Sequence, residues 1–397
     1  MFSRFTVNTT KKIAWAVRLF EDWIISRSHG KNPEFDFDGA SPFDALDKMQ
    51  LNFTLSRFIQ EVRKQDGSEY YGGTLKDIVI CIQMHLKEKN RSYDFFKDPD
   101  FFQLVNTLDS VMKSQAQAGI GTVAKQAQII TVQEENKLWE TGVLGSDKPE
   151  TLVDTLFYLI GMHFALRGGQ EHRNLRGGDT SQLTIQSDAD GTRYLLYHED
   201  VSKCHSGGLK SHDIKRKCVK AVENRENPKR CIVRLFEKYN SLCPKPRPES
   251  FYLRPLKAPS SANCWYARQA IGHNKLARTV ANICERASLG GLRTNHSLRA
   301  SAASRMYDDE FDEQMIQEVT GHRSLAVRKY KRTPRRLQEK ASKCLYGNES
   351  GITATVSKPP TDCVEESTEN TTPGSSTNSE STPAKRLCLN VNFTFKV

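Results

Sequence analysis

Two short segments toward the C-terminal end of the chain carry residue types that bind and cleave phosphodiesters. The segment TNHSLRA places His296 three residues before Arg299. If a helix begins within this segment, both side chains project to one side near its N-terminus, where anions are favoured. The segment TGHRSL then supplies His322, and Tyr330 follows eight residues later. Two bases, a second histidine and a tyrosine can therefore converge on one phosphate.

Two further cations precede these segments. Arg167 follows the most apolar helical pattern of the second half of the chain, where its side chain can reach into a cleft. Lys203 lies just past a predicted hairpin strand, where a β-turn would project it. Each residue taken singly is more often structural than catalytic. The indication of chemistry comes from the ordered set Arg167, Lys203, His296, Arg299, His322 and Tyr330.

Composition narrows the class of protein. The chain has 397 residues, 58 Lys and Arg against 47 Asp and Glu, and a formal net charge of +11. This length predicts two to three domains, and the positive charge favours a polyanionic partner. No apolar run is long enough for a transmembrane helix, and acidic residues interrupt the N-terminal apolar stretch, which makes it a poor signal peptide. The 10 cysteines form no CxxC pair, so we expect neither a structural zinc nor a disulfide framework.

The pattern along the chain predicts three parts. Residues 1–125 are helical in pattern and predict a small α-helical domain. Residues 126–346 are mixed, with an apolar helix before Arg167 and a hairpin around the turn Asp188–Gly191. Residues 347–397 are rich in Ser, Thr, Pro and Asn and predict a disordered tail. The tail contains a small basic island at Lys385 and Arg386, which is either a nuclear import signal or a solvated pair of bases.

The ordered set resembles the tyrosine recombinase (phage integrase) family, and more closely its Crypton-type members and their domesticated relatives among the zinc-finger MYM-type proteins. The segments LRGGQEHRNLRGGD, VSKCHSGGL, TNHSLRASAASRMYD and IQEVTGHRSLAVRKYKR carry this resemblance, and N-terminal segments such as FEDWIISR extend it. It covers nearly all of residues 10–345. The MYM zinc fingers of the domesticated relatives are absent, so we expect the recombinase module alone.

The resemblance implies a helical core-binding (SAM-like) domain and a mixed α+β, mainly α, catalytic domain that together clamp double-stranded DNA. Tyr330 would form a 3′-phosphotyrosyl bond, which keeps the phosphodiester energy, so no metal and no cofactor is implied. Arg167 and Arg299 would fork onto phosphate oxygens. His322 would add a hydrogen bond, Lys203 would protonate the leaving oxygen, and His296 would assist Tyr330.

The resemblance has further implications for binding partners and for cellular location. Three arginines near the set are expected to contact DNA: Arg173, Arg293 and Arg323. The resemblance also implies a homo-oligomer, a tetramer on DNA, in the nucleus, with no membrane partner. The eight-residue step from His322 to Tyr330 is one shorter than is common in the family. One residue turns a helix by about 100°, so the local backbone has to re-aim Tyr330 for the site to form.

Three functions remain open on the sequence. The first is an active, metal-independent recombinase from a transposable element. The second is a domesticated, catalytically inactive protein that binds DNA or chromatin and uses the tail for partners. The third is relaxation of supercoiled DNA, or phosphodiester hydrolysis, by the same tyrosine chemistry. We place the third last because the N-terminal half resembles recombinases.

Overall fold

The computed structural model describes most of the chain before residue 347. The described residues are 5–28, 43–121, 126–200, 216–257, 263–322, 324–331 and 335–346. The predicted tail, residues 347–397, lies outside them, as does the predicted site residue Lys203.

Four helices form the N-terminal part: α1 (Val7–Ser28), α2 (Lys48–Glu61), α3 (Gly72–Glu88) and α4 (Phe102–Gln117). Helix α2 begins where the Asp47 carboxylate accepts a hydrogen bond from the Gln50 amide, an N-terminal cap that satisfies one of the helix's free donors. These helices share one apolar core, in which Phe20, Phe58 and Ile78 are fully buried. The predicted all-helical character of this part is confirmed.

The described residues of the second part form eight helices: α5 (Val132–Glu140), α6 (Pro149–His163), α7 (Gly168–Arg173), α8 (Ile232–Ser241), α9 (His273–Ala277), α10 (Thr279–Arg286), α11 (Asn295–Asp308) and α12 (Glu313–Thr320). A six-residue 3₁₀ helix, Leu325–Tyr330, follows α12. A second apolar core runs through this part from Ile130 to Ala302. The mixed, mainly helical class predicted for this part is correct.

The strands form two small antiparallel sheets. Strands β1 (Leu183–Ser187), β2 (Arg193–His198) and β3 (Cys218–Val222) make a meander in the order β1-β2-β3. The predicted hairpin is confirmed, because β1 pairs with β2 across the turn that contains Gly191, whose φ is +78°. Strands β4 (Leu253–Pro255) and β5 (Tyr266–Ala270) pair with each other. The connection from β2 to β3 contains residues 201–215, where Lys203 lies.

Helix α6 forms the centre of the second core, since ten of its residues are buried. It packs closely on α11 at Gly161. A Cβ atom built on Gly161 would lie 2.4 Å from Leu298 Cδ1 and 3.1 Å from His172 Nε2. Both neighbours are fully buried, so they have little room to move. The absence of a side chain at Gly161 therefore sets how closely α11 approaches α6.

We expect Gly161→Ala to lower the free energy of unfolding by about 1–3 kcal/mol, the usual cost of overpacking a core. Chemical denaturation followed by circular dichroism measures it. Gly73→Ala is the matched control, because Gly73 also lies in a helix but has nothing within 4 Å of its added Cβ. That control should be neutral or slightly stabilising, and equal stability of the two variants would contradict the close approach.

Helix α13 (Arg335–Leu345) belongs to a separate compact unit that begins at Thr333. The side chains of residues 338–346 are exposed, including Leu345 and Tyr346. Among the described residues, every helix is too short or too polar to span a bilayer. The domain limits at residues 125 and 346 stay predictions.

Candidate functional site

Helix α11 presents the first pair of predicted site residues. Thr294 caps the helix, because its side chain accepts from the His296 amide and the Ser297 hydroxyl accepts from the Thr294 amide. The predicted helix start is therefore confirmed. His296 is exposed in the first turn, whereas Arg299, one turn further, is 1% exposed. The helix thus carries one solvent-facing imidazole and one buried guanidinium.

The turn after α6 holds Arg299 in place. Arg299 Nη1 donates to the Ala165 carbonyl at 2.7 Å. Ala165 has a φ of +43°, a left-handed conformation that costs an alanine roughly 1 kcal/mol. The charge-assisted hydrogen bond from Arg299 offsets part of that strain. Burial lowers the pKa of Arg299 first and Arg167 lowers it further, while Glu171 and Tyr330 act in the opposite direction.

Arg167 stands just before α7 and reaches the turn that follows α12. Its Nη2 donates to the Gly321 carbonyl at 3.2 Å, and its Nη1 contacts Glu171 Oε1 at 3.2 Å. The Glu171 carboxylate also accepts from the Arg167 amide at 2.6 Å. Glu171 therefore fixes both ends of Arg167. It was not predicted from the sequence, although its place four residues later on a helix is a signal for such a pair.

His322 is oriented by Thr320. The Thr320 hydroxyl donates to the Ile316 carbonyl at 2.6 Å, and its oxygen lies 2.7 Å from His322 Nδ1. Because the hydroxyl proton is committed to Ile316, the proton of the second contact belongs to Nδ1. Arg299 Nη2 lies 3.1 Å from His322 Nε2, which is then the acceptor. Burial, followed by the charges of Arg299 and Arg167, lowers the pKa of His322 to about 3.

The 3₁₀ helix brings Tyr330 to His296. Tyr330 Oη lies 2.8 Å from His296 Nε2, and the His322 ring lies 5.4 Å from the Tyr330 ring on the other side. The Ser304 hydroxyl donates to the Tyr330 carbonyl at 2.9 Å and fixes the backbone. A 3₁₀ helix rises about 2.0 Å per residue, against 1.5 Å in an α-helix. Tyr330 thus ends a 3₁₀ helix and reaches His296 despite the short step from His322.

His296 is suited to accept the tyrosine proton. Partial burial lowers its pKa, and Arg299 and Arg167 lower it further. The imidazole is therefore neutral at pH 7, and Nε2 is free to accept from the Tyr330 hydroxyl. We call Arg167, His296, Arg299, His322 and Tyr330 the five-residue cluster. In it, a hydroxyl next to a neutral base lies beside two guanidinium groups.

The cluster has an excess of positive charge. In the described part of the chain, no carboxylate lies within ion-pair distance of Arg299. Arg167 has one carboxylate partner, Glu171. An anion that enters between the two arginines would supply the missing negative charge. Among the described residues, no group of His, Cys, Asp and Glu is placed to hold a metal ion.

The three arginines predicted to contact DNA have different positions. Arg173 is exposed at the end of α7, and its side-chain hydrogen bonds to the described residues are local, to Gly169 and Gln170. Arg323 lies outside the described residues. The side chain of Arg293 is 8% exposed and pairs with Glu134 at 2.6 Å. This pair holds α5 to the segment before α11, and contact between Arg293 and DNA stays a prediction.

Lys217 is a cation near the cluster that the sequence did not single out. It immediately precedes β3 and is buried. Its Nζ donates to the Phe164 carbonyl, next to the carbonyl that Arg299 binds. In the sequence it lies in a run of exposed-looking basic residues, which gave no sign of its burial.

Two family matches and several curated proteins are similar to this chain. Residues 129–285 match a family described as "Domain of unknown function (DUF3504)", and residues 10–115 match the QRICH1 domain. Mouse (Mus musculus) zinc finger MYM-type protein 2 is 27% identical over 251 residues, which cover 59% of this chain and 18% of that protein. Mouse transcriptional regulator QRICH1 is 28% identical over 242 residues, covering 59% of this chain and 30% of that protein. The chain therefore matches less than a third of each relative's length.

Solved structures that align with this chain include tyrosine recombinases and integrases. The XerH site-specific recombinase bound to its difH substrate aligns with a TM-score of 0.46 at 17% identity, covering 84% of this chain and 78% of that one. The Tn1549 transposon integrase in complex with transposon right end DNA aligns with a TM-score of 0.41 at 13% identity, covering 83% and 99%. Similarity at this level does not transfer an activity or a ligand.

Proposed function

We propose that this chain cleaves and rejoins DNA strands through Tyr330, as a tyrosine recombinase of the Crypton type does. The observation that carries the proposal is the 2.8 Å contact between Tyr330 Oη and His296 Nε2 beside the buried Arg299. Tyr330 Oη attacks a backbone phosphorus and the bond to the 5′-oxygen breaks. The products are a 3′-phosphotyrosyl bond and a free 5′-hydroxyl. Attack by a 5′-hydroxyl of another strand reverses the step and exchanges strands.

The two arginines are suited to the charge that develops in this reaction. The transition state gathers negative charge on the non-bridging oxygens of the phosphate. Fixed guanidinium groups stabilise that charge without reorganising, and partial burial strengthens the effect. Arg299 and Arg167 now donate to the Ala165 and Gly321 carbonyls and keep further N–H groups for phosphate oxygens. His322 lies next to Arg299 and adds a third contact.

Two proton transfers complete the step. A tyrosine hydroxyl has a pKa of about 10, so it needs a base at neutral pH. His296 is that base. The leaving 5′-oxygen needs an acid, and we assign this role to Lys203 on the connection between β2 and β3. Double-stranded DNA is then the substrate. The proposal also includes that the protein acts as a homo-tetramer, that it originates from a transposable element and that it is located in the nucleus.

The test is capture of the covalent intermediate. The protein is incubated with duplex DNA that carries a nick next to the cleavage site, so that the short released strand diffuses away and religation fails. DNA from the ends of the element that encodes the chain supplies the site. We expect a protein–DNA band that survives denaturation, with the nucleotide mass on the Tyr330 peptide. No adduct on any such end, despite DNA binding, would overturn the proposal.

A second function is favoured by one finding, the similarity to a relative named a transcriptional regulator. In this case the chain binds DNA in the nucleus without cutting it. Affinity should fall steeply with salt, because phosphate contacts release counterions, and no adduct should form. The same nicked duplex distinguishes the two functions, since both predict binding and only the first predicts a covalent band.

His296→Gln should slow adduct formation by roughly 10²-fold, the usual contribution of a general base. In the wild type the rate should rise with pH as His296 loses its proton, and it should reach its plateau at a lower pH than an ordinary histidine would give, because the pKa of this residue is lowered. The glutamine variant should lack this dependence. Single-turnover rates across pH measure both effects. An unchanged pH profile in the variant would show that another group removes the proton.

A further inference from the structure

Lys217 is buried against the two segments that carry the cationic side chains of the cluster. Its side chain is enclosed, with 7% of the residue exposed. The Nζ atom donates to the carbonyl of Phe164, three residues before Arg167. The stem passes the turn before His322, since a Cβ built on Gly321 would lie 3.3 Å from Lys217 Cδ. One side chain therefore contacts both segments.

Among the described residues, those two segments are otherwise joined by one direct hydrogen bond, from Arg167 Nη2 to the Gly321 carbonyl. This bond uses a donor that faces the cluster. When a phosphate competes for that donor, the segments need another link to keep their spacing. The ammonium of Lys217 supplies this second link. It binds the Phe164 carbonyl on the buried side, so it does not occupy the open side of the cluster.

The charges that face Lys217 come from every element packed around it. Arg167 and Glu171 face it from α7 and the residue before it, and Arg299 from α11. Glu199 faces it from the end of β2, the Tyr197 ring lies 5.8 Å from its Nζ, and His322 follows α12. Burial first, and Arg299 second, lower the pKa of Lys217 to about 7. In the described part of the chain, no carboxylate forms an ion pair with it.

We propose that Lys217 is a positioning residue that takes up a proton when an anion fills the cluster, and then holds the Phe164–Arg167 and Gly321–His322 segments together. An anion between Arg167 and Arg299 cancels the positive field that now opposes a charge on Lys217. The charged form is then favoured, and it makes the stronger hydrogen bond to the carbonyl. The inference rests on the proposed binding of a DNA phosphate in the cluster.

The sign of the coupling follows from linkage. Binding that raises the pKa of Lys217 takes up a proton, so the affinity for the anion falls as pH rises above 7. For one proton the fall is at most about tenfold per pH unit. His296 and His322 are already neutral in this range, because their pKa values are lowered. Uptake at about pH 8 that disappears when Lys217 is replaced is therefore assigned to Lys217.

The first measurement uses the unmodified protein. Duplex DNA is titrated calorimetrically at about pH 8 in two buffers with different ionisation enthalpies, and the difference in heat gives the protons taken up. We expect a measurable fraction of one proton. DNA binding without proton uptake would overturn the inference while leaving the proposed function intact. Absence of any DNA binding would overturn both.

The second measurement compares Lys217→Met with Lys220→Met. Methionine keeps the apolar stem of Lys217 and removes the ammonium. Lys220 is the matched control, since it lies three residues further along, on β3, but is half exposed and pairs with Asp188. We expect Lys217→Met to lose the proton uptake and to form adduct roughly tenfold more slowly, with DNA affinity changed less than the rate. Lys220→Met should retain the uptake and the rate. Equal uptake in both variants would overturn the inference.

Thermal stability separates this role from a structural one. The folded-state pKa of Lys217 lies below its ordinary value of 10.5, so the buried group destabilises the free protein fully below pH 7 and progressively less as pH rises toward 10.5. Lys217→Met should therefore melt at the same or a higher temperature at pH 7. A stable variant with slow cleavage supports positioning. If Lys217→Met does not fold, a purely structural role is favoured, and the calorimetric result on the unmodified protein decides.

Discussion

Tyr330→Phe should abolish the covalent protein–DNA adduct and leave DNA binding within about twofold of the wild type. Phenylalanine lacks the attacking oxygen but keeps the ring that packs on Ala303, Ile316 and Val327. The bond from Ser304 goes to the Tyr330 carbonyl, so the backbone keeps its anchor. Denaturing electrophoresis of the nicked-duplex reaction measures the adduct, and fluorescence anisotropy measures binding.

Tyr307→Phe is the matched control for this variant. Tyr307 packs in the same small apolar group as Tyr330, and its buried hydroxyl has no hydrogen-bond partner in the described part of the chain. Its loss should leave the adduct unchanged. An adduct that persists in Tyr330→Phe and disappears in another tyrosine variant would assign the nucleophile elsewhere. Loss of DNA binding in Tyr330→Phe would show that the ring itself contacts DNA.

Arg299→Ala should reduce the rate of cleavage at saturating DNA by about 10²–10³-fold, as loss of one preorganised donor to a developing oxyanion does. The change also leaves the buried Ala165 carbonyl without its donor, which costs about 1–3 kcal/mol of stability. Arg299→Lys keeps the charge but not the fork, so it should fold better than the alanine variant and still cleave slowly. Single-turnover rates and denaturation curves give the two effects.

The control for the arginine series is Arg278→Ala. Its side chain is 69% exposed and pairs with Glu285 on the surface. Its removal should change stability by less than about 0.5 kcal/mol and leave cleavage unaffected. If Arg299→Lys cleaves as fast as the wild type, the guanidinium geometry is unimportant and the cluster acts through charge alone.

The sequence predicted the elements whose pattern is local. The apolar run of α6, the start of α11 and the hairpin turn at Gly191 all lie within a few residues of their own signals. It also predicted that His296, Arg299 and Tyr330 would converge, because chemistry restricts which residue types occur together around a phosphate. These predictions needed no knowledge of the distant packing.

Features set by distant packing were not predictable. Lys217 is enclosed by α6 and by the turn at Gly321, and nothing in its own segment encodes that burial. Arg293 pairs with Glu134, which lies 159 residues away in sequence. The short step before Tyr330 suggested a misaligned tyrosine, because an α-helix was the natural assumption. The 3₁₀ winding, which depends on packing against α11, gave the tyrosine a different direction.

Helix α11 carries the proposed base His296, the proposed phosphate clamp Arg299 and, through Ser304, the anchor of the Tyr330 backbone. Because these three residues lie on one helix, the distances between them are fixed together by a rise of about 1.5 Å per residue. Natural variation therefore cannot adjust one spacing alone. A one-residue deletion between Arg299 and Ser304 would turn the anchor by about 100° relative to the base. We expect lineages of this chain to exclude length changes from α11.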